Sequence, residues 1–456
     1  MEPHLLTTPQ TMHIGLDDTD STKGGCTTYL TALLIEELEK FNITFLDYPL
    51  LIRLNPNVPW KTRGNGALCL RFRHKPEFTE EIKKNATKLW REHTSINQKG
   101  TDPGIVFFNS ATIPQELRVF SKKTQTTIVT QKEAQTLIKK IDAEAQGFNS
   151  CRGIIGALAA IGETLQNDHT YELITYRIKQ NWGTKRQIDQ TSIFEMDKIT
   201  APHTFNNIDH EKGRVIITPR GPDPILFGIR GESPQILQTA LKLVKPLEPI
   251  ERWVIFRSNQ GTDAHLNPTT SLAKLEPYCS VIAKGSVSQL PRIIPRRHVI
   301  FSITDGITEV DCAAYEPTGT LRKTAWELRT GDIVEVFGAV HKATSDLPLT
   351  INLEKINILT LQKQIQTQNP LCPSCEKRLK SMGKNQGFRC EKCNNQFPDL
   401  KKQETNLQRT LAPGLYITST RSQRHLTKPL RRYGQEKSTG EITSMVDCWN
   451  AKSVVE

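Results

Sequence analysis

The chain has 456 residues, too many for one ordinary core, and its 37% apolar content suits folded soluble domains joined by polar connectors. A formal net charge of +12 favours a polyanionic partner, nucleic acid before membrane. No apolar run approaches the ~18–20 residues of a membrane span, and the opening "MEPHLLTTPQT" lacks the sustained apolar core of a secretory signal. Of ten cysteines, six are scattered and four are clustered at 372–393, which argues against a disulfide framework and for a reducing, cytoplasmic compartment.

In chain order, a short apolar strand from His13 to Leu16 runs into "DDTDSTKGG", and helical spacing follows at Leu30, Leu33, Leu34, Leu38 and Phe41. This strand, acidic loop and helix order puts Cys26, Thr27 and Thr28 in a first helical turn, where unpaired N–H groups favour phosphate. Asp17, Asp18 and Asp20 repel one another unless water or a cation compensates. One reading is a solvated turn capping the helix. The other is magnesium held by hard oxygen ligands beside a phosphate site. The stretch lacks the G-x-x-x-x-G-K-[ST] pattern, which excludes an ordinary P-loop.

Residues 51–74 predict a strand, a loop carrying Lys61 and Arg63, and a second strand. An amphipathic helix from about 74 and a strand at "GIVFFN" complete one α/β unit over 12–120. A second unit follows, with a small-residue helix "CRGIIGALAAIGETL", strands "YELITYRI", "RVIITPR", "ILFGIRG" and "RWVIFRSN", and the helix "SPQILQTALKLV". Short connections between alternating strands and helices suggest a ferredoxin-like sheet over 121–268. In "TPRGPDP", Arg220 and Asp223 read either as a surface turn or as a phosphate clamp with a ribose or metal ligand. Asn259, Gln260, Asp263 and His265 form either a polar loop or a supporting shell.

Five strands over 275–360 fit a small Greek-key β-barrel of the OB type, here assigned to 269–362. A Gln/Thr-rich linker at 361–369 leads to Cys372, Cys375, Cys390 and Cys393, two C-x-x-C pairs whose thiolates suit one closed tetrahedral zinc. A redox dithiol is the other reading of such a pair, but it leaves the second pair unexplained. This zinc ribbon spans 370–400. The segment 401–456 is polar and basic, and Arg421, Arg424, Lys428, Arg431 and Arg432 are its candidate RNA-phosphate contacts.

Taken in this order, "GLDDTDS…GGCTTYL", "LIRLNPNVPWKTRGNGA", "CRGIIGALAAIG", "PHTFNNID", "RGPDPILFGIRGE" and "FRSNQGTDAHL" closely resemble the archaeal isoleucine-tRNA 2-agmatinylcytidine synthetase family over nearly the whole chain. The resemblance implies a multidomain α+β fold of a threonine/cytidine kinase-like domain, a ferredoxin-like domain, an OB-fold barrel and a zinc ribbon. It implies an ATP-dependent ligase joining agmatine to C2 of the wobble cytidine of a CAU anticodon, releasing AMP and phosphate. By resemblance Asp17, Asp18 and Asp20 hold magnesium and the ATP phosphates. Thr27, or its neighbour Thr28, accepts a phosphoryl group, and Lys61, Arg220 and Asp223 handle the nucleotide. ATP, magnesium and zinc are the implied small ligands, and tRNA and agmatine the partners, with the protein a monomer or weak oligomer. The competing class is a non-catalytic RNA-binding protein built on the barrel and ribbon.

Overall fold

The computed structural model describes residues 8–62, 64–345, 347–438 and 445–453; Arg63 lies outside the described residues. The strand Gln10–Asp17 is buried on both faces through its middle, with Met12, Ile14 and Leu16 alternating with His13 and Gly15. Met12, Ile14 and Leu16 enter a core shared with the helices Thr27–Glu39 and Thr79–Glu92. The neighbouring strand Gly66–His74 divides its residues between two cores. Leu68, Leu70 and Phe72 join the first, and Ala67 and Cys69 face a second core built on the helices Gln115–Thr126, Gln131–Lys140 and Gly153–Gly162.

This layer does not end at 120. The strand Glu144–Gly147 pairs antiparallel with Gly104–Asn109, and the two helices between them cover the same sheet. The helix Gln131–Lys140 begins with a reciprocal cap between Thr130 and Glu133. The sheet itself runs on into the next unit. Leu50–Arg53 pairs parallel with Ile250–Ser258, which pairs in turn with Thr170–Arg177 and so with Ile225–Gly231. One eleven-stranded sheet therefore carries both units.

In the second unit the helices Gln190–Thr200 and Pro234–Leu243 cover strands of the sheet through Ile193, Met196, Leu237 and Ala240. The expected strand "RVIITPR" is almost absent. Only Arg214–Val215 pairs, with Ile208–Asp209, and the proline-rich remainder forms a wall of the cleft described below. Beyond Val215 single backbone bonds continue, from the Ile216 N–H to the Asn207 carbonyl and from the Gly228 N–H to the Ile217 carbonyl, and Pro219 has no N–H to add another.

The strands Ser280–Ile294, His298–Thr304, Glu309–Ala314, Thr350–Thr360 and Ile333–His341 close on themselves, because the first also pairs with the last. Leu321 and Ala325 of the helix Thr320–Glu327 are buried in the core of this barrel. The polar linker is a strand, Gln364–Gln368, paired with Gln403–Leu407 to make a two-stranded stalk. The stalk carries three short strands around the cysteine quartet. Gly414–Ile417 then returns to the barrel, and Asn450–Lys452 adds to the eleven-stranded sheet. Among the described residues no helix is long and apolar enough to cross a membrane.

Candidate active site and zinc centre

A cavity of about 620 Å³ opens where the two units share their sheet. The acidic loop, the first turn of Thr27–Glu39, the 58–66 loop, the start of Gly153–Gly162, the 214–223 wall and residues 420–425 all line it. Asp17, Asp18, Asp20, Thr27, Thr28, Lys61, Arg220 and Asp223 are thus brought together, although they span more than two hundred positions.

The acidic loop sits at the end of a central strand. Asp17 pairs with Gly104 in the sheet, and its Oδ1 accepts the N–H of Asp18, which lies in the left-handed region at φ 54°. Asp18 accepts hydrogen bonds from the Asp102 N–H at 2.8 Å and the Thr62 hydroxyl at 3.3 Å. Burial pushes the Asp18 carboxyl up to about 6 against these donors, and burial followed by the charge of Asp18 raises Asp17 well above the carboxylate range. Such a cluster gains from any cation, since positive charge reverses the shift. The three carboxylates do not converge on a single point: among the described residues, only the cysteine quartet brings three or more metal-binding side chains within 4.8 Å. Hard oxygen donors beside a helix start suited to an anion nevertheless fit magnesium, which often takes one or two carboxylates and completes its shell with water and phosphate.

The helix Thr27–Glu39 carries no acidic side chain in its first turn, and its dipole favours an anion there. The Thr19 hydroxyl donates to Thr27 Oγ1 at 3.0 Å, and Thr28 Oγ1 meets the Cys26 thiol at 3.0 Å. Both threonines are largely buried and both line the cavity. Arg220 and Asp223 do not pair with each other. Asp223 is held by Arg186 at 3.0 Å, and the same guanidinium gathers the Gly221, Asp223 and Ile225 carbonyls, stiffening the turn. The Lys61 amine donates to the Pro56 carbonyl.

A polar wall opposite the acidic loop escapes a reading of the sequence. Glu172, buried in an apolar strand, binds Arg230 at 3.1 Å and Arg53 at 3.7 Å and accepts from Gln260. Arg230 meets His425 Nδ1 at 2.9 Å. Burial, then Arg53 and Arg230, drive His425 well below its ordinary value, so it is neutral there. A lone acid between Tyr171 and Leu173 in a β-branched and aromatic strand is the available signal for Glu172. No local signal marks His425, which comes from a distant segment. The 259–265 residues are supports: Asn259 bonds both backbone groups of Arg53, Asp263 binds Lys355 and His265 meets Glu354.

The five basic residues expected to grip RNA are committed elsewhere. Arg432 is fully buried, between Asp168 at 2.7 Å and Glu232 at 2.6 Å. Arg431 holds Asp197, Arg421 holds Asp209 and Glu211, Arg424 holds Glu354, and Lys428 holds Glu436. None of the five side chains is more than 31% exposed. Their charge is answered within the chain, and they fasten a strap across both halves of the molecule. Arg432, fully buried, has no surface to offer a phosphate, whereas Arg421, Arg424, Lys428 and Arg431 keep part of their surface beside their carboxylate partners.

The ligand atoms of Cys372, Cys375, Cys390 and Cys393 all lie within 4.8 Å of one another. The residues after each C-x-x-C, Glu376 and Asn394, take left-handed backbone angles that turn the chain back. The N–H groups of Cys393 and Lys392 point at Cys390 Sγ from 3.3 and 3.4 Å and pull its thiol down to about 6. Four soft donors with no open position fit a structural zinc.

Fold and sites together define a multidomain α/β enzyme with a carboxylate-lined cleft, an attached β-barrel and a zinc ribbon. Family models for the TiaS TCKD domain, the TiaS FLD domain and the TiaS C-terminal zinc ribbon domain match residues 13–150, 151–265 and 369–411. The isoleucine-tRNA 2-agmatinylcytidine synthetase TiaS of Methanosarcina mazei is 42% identical over 429 residues, covering 92% of this chain and 97% of the relative. That of Methanocaldococcus jannaschii is 41% identical over 92% of this chain and 98% of its own. The crystal structure of TiaS in complex with its isoleucine tRNA and ATP matches with a TM-score of 0.84 at 39% identity, covering 93% and 97% of the two chains. The complex of TiaS with the same tRNA, AMPCPP and agmatine matches at 0.81 and 37% identity, with the same coverage. The chain belongs to the TiaS family of isoleucine-tRNA 2-agmatinylcytidine synthetases.

Proposed function

We propose that this protein joins agmatine to C2 of the wobble cytidine of an isoleucine tRNA with a CAU anticodon, driven by ATP. The observation that carries the reading is the single cleft in which Asp17, Asp18, Thr27, Arg220 and Asp223 meet. The relatives crystallised with isoleucine tRNA, ATP and agmatine support it. A protein that only bound RNA phosphates would gain nothing from carboxylates at its most ordered strand end.

The chemistry follows from the base. The C2 carbonyl of cytosine is a weak electrophile and its oxygen a poor leaving group. Phosphorylation of that oxygen turns it into phosphate. The primary amine of agmatine then forms the N–C2 bond as the C2–O bond breaks, and the oxygen departs with the phosphate. That transfer leaves ADP; passage of a second phosphoryl group from ADP to Thr27 and hydrolysis of the resulting ester by water would give AMP and the second phosphate. Asp17, Asp18 and Asp20 would hold magnesium, which supplies charge neutralisation among the phosphates when bound. Thr27 is the assigned phosphoryl acceptor, at a helix start suited to an anion. Arg220 binds phosphate, Asp223 fixes the turn that presents it, and Lys61 adds positive charge at the rim.

In this reading residues 13–150 form a kinase-like layer, 151–265 a ferredoxin-like layer and the closed barrel an OB-fold that positions RNA with the zinc ribbon. A protein that works on the tRNA pool acts in the cytoplasm. The test is ligation by the full chain with ATP, magnesium, agmatine and the tRNA transcript, followed by nucleoside mass spectrometry. The wobble cytidine should gain the mass of agmatine less one water, only with ATP. An unmodified wobble nucleoside alongside ATP cleavage would refute the proposal.

A further inference from the structure

Trp60 is 44% exposed although it lines the cleft, which is unusual for the largest apolar side chain. One face of its indole is covered: the Arg152 guanidinium carbon lies 4.1 Å from the ring centroid. Arg152 Nε is buried with no hydrogen-bond partner among the described residues, so the ring is its main contact there. The loop bearing Trp60 is tied to the barrel, because Asn55 Nδ2 donates to the Tyr278 carbonyl at 2.9 Å and Asn57 Nδ2 to Ser280 Oγ at 2.8 Å.

We propose that Trp60, backed by Arg152, is the stacking platform for the nucleobase being modified, a pyrimidine presented by the RNA. The inference rests on the function proposed above. A second cation is disfavoured at this ring, because Arg152 already takes the cation–π position. A neutral heteroaromatic ring is what the indole accepts, since every base has a π-face. Geometry selects between the modified base and the adenine of ATP. Arg152 immediately precedes the helix Gly153–Gly162, and a Cβ on Gly156 would stand 1.9 Å from Asp17 Oδ2. The helix that presses Gly156 against the Asp17 carboxylate thus starts beside the residue that backs the ring, and Trp60 and Asp17 line the same cleft. The cytosine carbonyl must touch the transferred phosphoryl group, whereas adenine is held away from the terminal phosphates by its ribose and phosphate chain. Exposure at the rim also suits a base arriving on a polymer.

The probe is the tRNA transcript with fluorescent pyrrolo-cytidine at the wobble position, bound to the full-length protein. Wild type should quench the fluorophore, Trp60→Phe should keep most of the quenching and Trp60→Leu should lose it. In ligation with unmodified tRNA, Trp60→Leu should lower kcat/KM for tRNA by roughly five- to 150-fold and leave KM for ATP unchanged. A rise in KM for ATP with quenching intact would assign the ring to adenine and overturn the proposal. So would a wild type that ligates agmatine but never quenches the probe. Quenching that depends on Trp60 in a protein without ligation would uphold the platform and refute the function instead.

Discussion

Gly156 shows how one missing methyl group shapes the cleft. Its Cα faces the Asp17 carboxylate so closely that a Cβ would sit 1.9 Å from Oδ2, far inside contact distance. Gly156→Ala must move either the helix or the carboxylate. Ligation should fall about 100-fold, the scale of a 1 Å misplacement at a reacting centre, while the fold loses only about 1–3 kcal/mol as an overpacked site. Kinetics and a thermal melt on the same preparation check this, and wild-type turnover in the variant would show that Asp17 does not need its observed position. At this scale the sequence is informative about what each residue can do and silent about partners. The three aspartates, Thr27, Arg220 and Asp223 are legible as chemistry. Arg186, which holds Asp223, is not, because it comes from a loop 37 positions away.

The helices that sequence patterning does not reveal, Gln115–Thr126, Gln131–Lys140, Gln190–Thr200 and Thr320–Glu327, are mostly polar in composition and depend on tertiary contact for their stability. The Gln/Thr-rich linker is a strand for the same reason, since its partner Gln403–Leu407 lies beyond the ribbon. The strap is the clearest case. A run of basic residues looks alike in sequence whether it meets RNA or buried carboxylates. Arg432→Met would remove the guanidinium that bridges Asp168 and Glu232, leaving Lys428 at 3.9 Å from the first and Lys437 at 3.0 Å from the second, and should destabilise the fold by about 3 kcal/mol, the lower end for a broken buried pair. The salt dependence of tRNA binding should keep its slope, because no phosphate contact is removed. A flatter slope with unchanged stability would return Arg432 to the RNA. In the ribbon, where the spacing alone is sufficient to indicate the site, metal analysis should find one zinc per chain. Structural zinc contributes about 10–16 kcal/mol in small finger peptides. Cys375→Ser should therefore unfold the 372–393 module and leave ATP binding intact, as limited proteolysis and nucleotide titration would report.

Across the whole molecule, one sheet joins two units, a barrel and ribbon are attached, and a strap crosses back over the cleft. Long-range pairing of this kind is not legible locally: the joining strands Leu50–Arg53 and Ile250–Ser258 are two hundred residues apart, and Glu144–Gly147 returns to Gly104–Asn109 across two intervening helices. Everything proposed for the cleft rests on activation of a base by phosphorylation of its carbonyl oxygen. The decisive measurement uses tRNA carrying a heavy-oxygen label at O2 of the wobble cytidine, ligated to agmatine by the full-length enzyme. The label should leave in inorganic phosphate, one labelled phosphate for each agmatine joined. Recovery of the label in water, with unlabelled phosphate, would contradict that chemistry.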